Sequence, residues 1–400
     1  MTSLEPHPAN IRFATDCIGR AKALAPKIAA AASRIERERE LPPEIVAALQ
    51  EAGLFRMLVP RSLGGGEVSA SEFVQAVEEI AKADASTAWC VAQTSICSTI
   101  ASAFSPETGR GIFGKGDLLA WGPANPTGRA VADGAGFRIT GQWQFASGSR
   151  HAAWFAAHCP VFEADGTPRL MANGQPDEIT AVFPKSEAAI TDVWQVMGLK
   201  GTGSDNYAVS DLFVPSERTV NSYARDPAKK HEHGPLYQFT VFQLFGAGFA
   251  GIALGIARSA LDAFVELAKG KTPMGGKSVL RDNAVVQSQI GQAEAKLAGS
   301  RVFLLHALDA MGDSAGRPGG ITVDQRISLR MAASLATHNA RDVVDAAYHG
   351  AGATAVFESN PFERRFRDVH TVSQQVQSHF ALYESIGQHF LGLPLHPKFI

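Results

Sequence analysis

The hydrophobic repeat of this chain changes twice along its 400 residues. Apolar side chains recur with the period of a helix up to about residue 115, with the period of a strand between about 118 and 220, and with the helical period again from 236 to 391. Each period favours one kind of secondary structure. The sequence therefore predicts an all-helical domain over residues 1–115, a β domain over 116–222 and a second helical domain over 235–400.

Local signals place individual elements within these domains. Ser69, followed three residues later by Glu72, is typical of a capping box at the start of a helix. Turn dipeptides such as Asp133-Gly134 separate about six to eight short strands in the middle domain, which predicts an antiparallel sandwich or barrel. The last domain contains four blocks of helical period, which predict an antiparallel four-helix bundle: 236–269, 280–312, 322–350 and 365–391.

The first of these blocks contains the most apolar run of the chain, residues 241–257. The run is short for a membrane span and is expected to form a buried core helix. Four glycines in the block are expected to allow close packing of its backbone: Gly246, Gly248, Gly251 and Gly255.

Composition narrows the function. The net charge of −2, with no run of basic residues, argues against nucleic acid as a partner. The cysteines show no CxxC spacing and lie in apolar contexts, so we expect buried free thiols, no disulfide and no metal site: Cys17, Cys90, Cys97 and Cys159. The first residues lack the features of a secretion signal, which predicts a soluble, cytoplasmic protein with no membrane partner.

Four short motifs follow one another in order along the chain. They are LFRMLVP with LGGG (54–60 and 63–66), GQWQFASGS (141–149), WQVMGLKGTGS with a later Val-Pro (194–204 and 214–215), and RRFRD (364–368). Together with the three-domain order, they resemble the acyl-CoA dehydrogenase superfamily along nearly the whole chain. The resemblance implies an α+β fold with an N-terminal helical domain, a middle antiparallel β-sandwich or barrel and a C-terminal four-helix bundle. It also implies a flavin cofactor, FAD or FMN.

The reaction depends on which branch of the superfamily the chain resembles. A dehydrogenase needs a carboxylate base, and in relatives this lies about eight residues after the Arg-Asp pair or on the first bundle helix. No acid occurs between Asp368 and Glu384, or between Glu232 and Asp262. The Arg-Asp-Val-His-Thr motif more closely resembles two-component monooxygenases, which hydroxylate aromatic or heteroaromatic substrates with O₂ and reduced flavin from a separate reductase. An acyl-CoA dehydrogenase-type oxidoreductase and a non-catalytic binding module remain alternatives.

The resemblance also implies roles for particular residues. His370 is the expected acid or base, since histidine titrates near neutral pH, and Ser147 or Ser149 supplies a hydroxyl near flavin N5. The expected flavin contacts are Trp143, Phe145, Ser147, Ser149, Thr202, Ser204, Arg281 and Gln287. The expected substrate contacts are Trp89, Gln93, Trp194 and Phe245. Because Arg281 and Gln287 resemble residues that hold the flavin diphosphate of a neighbouring subunit, the enzyme is expected to be a homotetramer.

Two features leave these roles open. Many relatives carry histidines at the position of Gln375 and near Ile96, and this chain carries neither. His370 is therefore either catalytic, or it only positions substrate or pairs with Asp368. Strand alternation places Trp143 and Phe145 on one face, which suits the flat wall that a flavin needs; a tryptophan in the sandwich core is the ordinary alternative.

Overall fold

The computed structural model describes residues 16–122, 128–221 and 231–395. The predicted fold class is confirmed, because helices are followed by a sheet and then by helices again. The first group of helices is α1 (Cys17–Glu38), α2 (Pro43–Glu51), α3 (Ala70–Ala83), α4 (Ala85–Cys97) and α5 (Pro106–Phe113). The predicted capping box is present: Ser69 Oγ accepts the Glu72 N–H, and the Glu72 carboxylate accepts the Ser69 N–H.

Helix α4 carries part of the candidate site, and its ends follow from its sequence. The Asp84 carboxylate accepts hydrogen bonds from the N–H and the hydroxyl of Thr87, both at 2.7 Å, and so caps the helix. The uncharged run from Thr87 to Phe104 predicts one helix, but the α-helix ends at Cys97 and 3₁₀ turns follow it. The Ser98 and Thr99 hydroxyls donate to carbonyl groups of the preceding turn there, which weakens the regular ladder.

The sheet contains eight strands in the described residues: β1 (Leu119–Trp121), β2 (Arg129–Asp133), β3 (Gly136–Ala146), β4 (Trp154–Phe162), β5 (Glu178–Pro184), β6 (Ala189–Thr191), β7 (Asp205–Pro215) and β8 (Thr219–Asn221). Their order is β6-β7-β3-β2-β4-β5-β8, with β1 beside β4. The prediction of an antiparallel sheet is wrong for two pairs, β1–β4 and β2–β4, which are parallel. The chain reverses after β3 and β4 then lies on the other side of β2, so β2 and β4 run in the same direction.

The second group of helices is α6 (Val241–Gly270), α7 (Ala284–Ala315), α8 (Val323–Ala351), α9 (Phe362–Val372) and α10 (Leu382–Phe390). Three of the four predicted blocks are single long helices. The prediction of one helix over 365–391 is wrong, because the chain breaks after α9. There the Ser373 hydroxyl donates to the His370 carbonyl at 2.9 Å, and the Gln375 side chain accepts the Gln377 N–H at 2.6 Å, so side chains compete with the helical ladder.

Helix α6 is the central element of the helical core. It is the one helix in the described ranges that is long and apolar enough to cross a membrane, but 83% of its most apolar window is buried inside the protein. A Cβ on Gly255 would lie 2.4 Å from the Glu78 carbonyl oxygen, and one on Gly251 would lie 3.0 Å from the Val74 carbonyl oxygen. These two glycines therefore let α6 pack against α3, and the predicted core helix is confirmed.

Candidate active site

A chain of polar groups joins α4 to the end of β3 and to the loop before β7. The Trp89 indole N–H donates to Ser147 Oγ at 3.0 Å, and Ser147 Oγ lies 2.7 Å from Ser204 Oγ. Ser204 Oγ lies 2.7 Å from Thr202 Oγ1, which donates to the Leu199 carbonyl at 2.9 Å. All three hydroxyl side chains are buried. The structure therefore brings Ser147, Thr202 and Ser204 of the sequence-predicted residues together as one cluster.

The Leu199 peptide group is the point where this cluster meets the last domain. Its carbonyl also accepts the Trp194 indole N–H at 3.0 Å, and its N–H donates to Asp368 Oδ1 at 2.7 Å. Burial raises the pKa of the Asp368 carboxyl to about 7, against the Leu199 hydrogen bond and the neighbouring arginines, which lower it. Asp368 therefore anchors α9 to the loop that carries the hydroxyl cluster.

The two aromatic side chains at the end of β3 have opposite environments. Phe145 has a φ angle of 60°, and the pairing of β3 with β7 shifts between Trp143 and Ala146. The shift breaks the two-residue alternation. As a result the Phe145 side chain is 56% exposed, whereas Trp143 is 2% exposed. The prediction that both rings share one face is wrong.

Trp143 fills the core of the sandwich. Its indole N–H donates to the His158 carbonyl at 3.0 Å, and its ring stacks on Tyr207 with 5.3 Å between centroids. A Cβ on Gly128 would lie 2.2 Å from the Trp143 ring, so the backbone encloses the ring on that side. Trp143 has no free ring surface for a cofactor, and the alternative of a core tryptophan is correct.

Phe145 lies instead at an exposed apolar surface. Its ring meets Trp194 edge to face with 6.1 Å between centroids. Met197, three residues after Trp194, is 52% exposed. A bulky residue in the left-handed region is strained, and such strain persists where the surrounding structure imposes it, often at functional sites. An exposed aromatic surface beside a buried hydroxyl cluster fits the flat apolar body and polar edge of a flavin.

Ser149 has a structural contact. It is fully buried, and its hydroxyl donates to the Gly203 carbonyl at 3.0 Å. The backbone N–H groups of Ser147, Gly148 and Ser149 donate to carbonyl groups of Phe145, Thr202 and Ala146. These N–H groups and the Ser149 hydroxyl are therefore used within the turn, which leaves Ser147 and not Ser149 as the candidate hydroxyl.

The predicted substrate residues Trp89 and Phe245 belong to one aromatic stack. The Trp89 ring lies parallel to Phe249 at 4.1 Å, and Phe249 stacks on Phe245 at 5.5 Å. Gln93 follows Trp89 by one turn of α4, and its Oε1 lies 4.0 Å from Cys97 Sγ. Phe249 was not among the predicted substrate residues, although its spacing of four residues from Phe245 on one helix was a visible signal. Trp121, another aromatic residue that the sequence suggests for a pocket wall, has a buried Nε1 with no hydrogen-bond partner in the described structure, and it packs against the same apolar cluster as Phe245.

The side chains of His370 and Asp368 project from different sides of α9. Its Nε2 is 2.8 Å from Asp345 Oδ1 on α8, and its ring contacts Phe366 at 4.3 Å. Residues two apart on a helix point about 200° apart, so Asp368 faces Leu199 while His370 faces α8. The pairing of His370 with Asp368 that the sequence left open is wrong. Asp345 was missed, because no sequence spacing links residues on different helices.

Arg281 and Gln287 lie at the exposed start of α7. The Arg281 side chain is 63% exposed and its ion pair is with the adjacent Asp282 at 3.5 Å. Gln287 Nε2 donates to the Arg281 carbonyl at 2.8 Å. Among the described residues, no contact links either side chain to Ser147.

Comparison with known proteins gives the same fold. The family model "Acyl-CoA dehydrogenase, N-terminal domain" matches residues 21–110, and "Acyl-CoA dehydrogenase, C-terminal domain" matches 247–381. Indole-3-acetate monooxygenase of Pseudomonas putida is 28% identical over 368 residues, covering 91% of each chain. The oxygenase component of the FADH(2)-dependent resorcinol hydroxylase of Rhizobium sp. is 28% identical, covering 97% of each. The crystal structure of the HsaA monooxygenase from M. tuberculosis superimposes with a TM-score of 0.87 at 25% identity, covering 97% of this chain and 100% of that one.

The three-part fold, the matched domains and the site together define a class: this chain belongs to the acyl-CoA dehydrogenase family. Within that family it is a flavin-dependent oxidoreductase of the monooxygenase branch, since these relatives are monooxygenases and hydroxylases and not dehydrogenases.

Proposed function

We propose that this protein is the oxygenase component of a two-component system that hydroxylates an aromatic or heteroaromatic substrate with reduced flavin and O₂. The observation that carries the proposal is that each buried carboxylate in the described residues is already hydrogen-bonded within the protein. The protein holds each of them: Asp84 by Thr87, Asp205 by Arg150, Glu78 by Arg301 and Asp368 by the Leu199 N–H. An acyl-CoA dehydrogenase needs a carboxylate base that reaches its substrate, and none of these four is left without a partner in the protein.

The chain's own residues would hold the flavin at the hydroxyl cluster. Phe145 and Met197 offer the apolar surface against the flavin ring, and Ser147 offers the polar contact at its edge. Reduced flavin, when bound, supplies the electrons with which one atom of O₂ enters the substrate and the other leaves as water. Trp143 and Ser149 take no part, because other groups of the protein enclose them.

His370 is the proposed acid or base for the substrate. If Asp345 accepts a hydrogen bond from His370 Nε2–H, the neutral ring leaves Nδ1 as the basic atom. The role of Asp345 is then to fix this tautomer and the orientation of the ring, as carboxylates do for histidines elsewhere.

The aromatic stack supports a flat substrate. Trp89 and Phe245 are partly exposed and flank the buried Phe249 in one stack next to Ser147, and such an aromatic wall suits a ring better than a flexible acyl chain. The unpaired Nε1 of Trp121 is a donor for a polar atom of such a molecule. The relatives named above act on indole-3-acetate and resorcinol, so a phenol or an indole is the proposed substrate class.

A homotetramer is proposed from the exposure of α7. Only eight of its 32 residues are buried, and apolar side chains such as Val285 and Val302 are exposed on it. In an oligomer, Arg281 and Gln287 would reach the diphosphate of a flavin in the neighbouring subunit. FMN has no diphosphate linkage, so Arg281→Ala should weaken binding of reduced FAD more than reduced FMN if this assignment holds. A separate reductase is proposed as a partner because the proposed reaction consumes reduced flavin. A cytoplasmic location is proposed together with this function.

The deciding experiment supplies the purified protein with enzymatically reduced FMN or FAD, ¹⁸O₂ and either indole-3-acetate or resorcinol. A hydroxylated product that carries one ¹⁸O atom and requires the reductase supports the proposal. The competing dehydrogenase activity is tested without a reductase, by mixing protein and oxidised flavin with acyl-CoA of several chain lengths. Bleaching of the flavin by an acyl-CoA, with no labelled product from either aromatic probe, would refute the proposal.

A further inference from the structure

The four hydrogen bonds from Trp89 to Leu199 can all be made at once in one direction only. An indole N–H can only donate and a carbonyl oxygen can only accept, so both ends of the chain are determined. Thr202 gives its hydroxyl proton to the Leu199 carbonyl. Each hydroxyl has one proton, so Ser204 must donate to Thr202, at 2.7 Å, and Ser147 must then donate to Ser204, at 2.7 Å.

This direction decides what Ser147 offers to a ligand. Its own proton points into the protein toward Ser204, and its oxygen accepts the Trp89 N–H at 3.0 Å. One lone pair of the oxygen remains. Ser147 is buried, at 5% exposed, and it is the hydroxyl of the cluster that contacts the partly exposed Trp89. The group presented to a ligand is therefore a hydrogen-bond acceptor.

The oxidised and reduced forms of a flavin differ in whether N5 accepts or donates a hydrogen bond. Oxidised N5 carries no proton and needs a donor, whereas reduced N5 carries a proton and needs an acceptor. We propose that Thr202 and Ser204 are positioning residues that fix Ser147 as an acceptor, and that this direction makes the site select reduced over oxidised flavin. The inference rests on the proposed function, which places the N5 edge of the flavin beside Ser147. Such a site would take reduced flavin from a reductase and release the spent oxidised form.

Two substitutions reverse the direction of the hydrogen-bond chain or break it, and two others leave its direction unchanged. In Thr202→Val, Ser204 loses its acceptor and turns its proton to Ser147, which is then free to donate to a ligand. In Ser204→Ala, Ser147 loses its acceptor directly. Thr202→Ser keeps the hydroxyl, and Trp89→Phe removes the donor at the other end without changing the direction of the remaining bonds.

The measurement is the dissociation constant of each variant for oxidised FMN and FAD in air, and for the dithionite-reduced forms under anaerobic conditions. Thermal unfolding of each apoprotein confirms that it folds. We expect the wild type to bind reduced flavin more tightly than oxidised flavin. The ratio of the two constants should fall about tenfold in Thr202→Val and in Ser204→Ala, which corresponds to one hydrogen bond gained or lost. Thr202→Ser and Trp89→Phe should keep the wild-type ratio, even if overall affinity changes.

The outcomes separate this inference from the proposed function. A protein that incorporates ¹⁸O into an aromatic probe, but whose flavin preference is the same in folded Thr202→Val and Ser204→Ala as in wild type, overturns the role of the hydroxyl chain alone. A loss of preference in Trp89→Phe as large as in Thr202→Val also overturns it, because the direction of the chain would then not matter. A wild-type protein that binds neither form of flavin would remove the proposed function as well.

Discussion

His370 Nε2 on α9 lies 2.8 Å from Asp345 Oδ1 on α8, and His389 on α10 makes a similar pair with Asp324 on α8 at 2.9 Å. Each pair ties a short terminal helix to the same long helix. The two pairs are therefore a matched comparison: if His370 is catalytic, its loss should affect the reaction in a way that the loss of His389 does not.

The first prediction concerns this comparison. His370→Ala should lower kcat for hydroxylation by about 100-fold or more, as expected for loss of a general acid or base, while reduced flavin still binds. Asp345→Asn should lower kcat by a smaller factor, because the imidazole remains but loses its orienting carboxylate. Steady-state kinetics across pH 6 to 9 gives the test. His389→Ala, the control, should leave kcat unchanged. An equal effect of His370→Ala and His389→Ala on kcat would mean that His370 only links two helices and is not catalytic.

The second prediction uses the buried carboxyl of Asp368. Its pKa is raised from 3.8 to about 7 in the folded protein, mainly by burial, so the folded state holds this proton more tightly than the unfolded state does. Asp368 therefore makes the free energy of unfolding fall as pH rises from about 4 to about 7, with no further change above that. Asp368→Asn keeps an oxygen acceptor for the Leu199 N–H without the titration. Urea unfolding should show the free energy of unfolding of the mutant rising relative to that of the wild type by on the order of a few kcal/mol between pH 4 and 7. A difference that is constant with pH would contradict the assignment.

The third prediction concerns the strained backbone at Phe145. A left-handed conformation costs an L-residue about 1–2 kcal/mol, and glycine avoids this cost. Phe145→Gly should therefore be more stable than Phe145→Ala by about 1 kcal/mol in the apoprotein. Both variants should bind flavin more weakly than wild type, because both remove the exposed ring. Thermal unfolding and flavin titration provide the two measurements, and an Ala variant at least as stable as the Gly variant would argue against strain.

The fourth prediction concerns Gly255, where α6 crosses α3. A methyl group there would lie 2.4 Å from the Glu78 carbonyl oxygen, so Gly255→Ala must force the two helices apart. A loss of about 1–3 kcal/mol is expected. Gly111 on α5 is the control, since nothing lies within 4 Å of its added Cβ; Gly111→Ala should be neutral or stabilising by up to about 1 kcal/mol. Denaturant unfolding should therefore show a loss of stability in Gly255→Ala and no loss in Gly111→Ala.

Much of the fold could be predicted from the sequence because it depends on neighbours along the chain. The capping box at Ser69 and Glu72 involves residues three apart, and the burial of α6 follows from an apolar run with glycines where α3 approaches. The prediction failed where a local change in strand pairing or hydrogen bonding interrupts the hydrophobic repeat. The shifted pairing at Phe145 moved that ring out of register with Trp143, and side-chain hydrogen bonds at Ser373 and Gln375 ended a helix that the hydrophobic period alone would have continued.

The sequence by itself determined the order of the three domains, the family they resemble and the hydroxyl residues near the end of β3, because periodicity and motifs are written in consecutive residues. Tertiary structure alone decided that Trp89, Ser147, Ser204 and Thr202 form one directed chain ending at the Leu199 carbonyl, and that His370 faces Asp345. Trp89 and Ser147 are 58 positions apart, Ser147 and Ser204 are 57 apart, and His370 and Asp345 are 25 apart. Hydrogen-bond direction depends on which donor meets which acceptor in space, and only the packing of α4, the sheet and the last helices brings those atoms together.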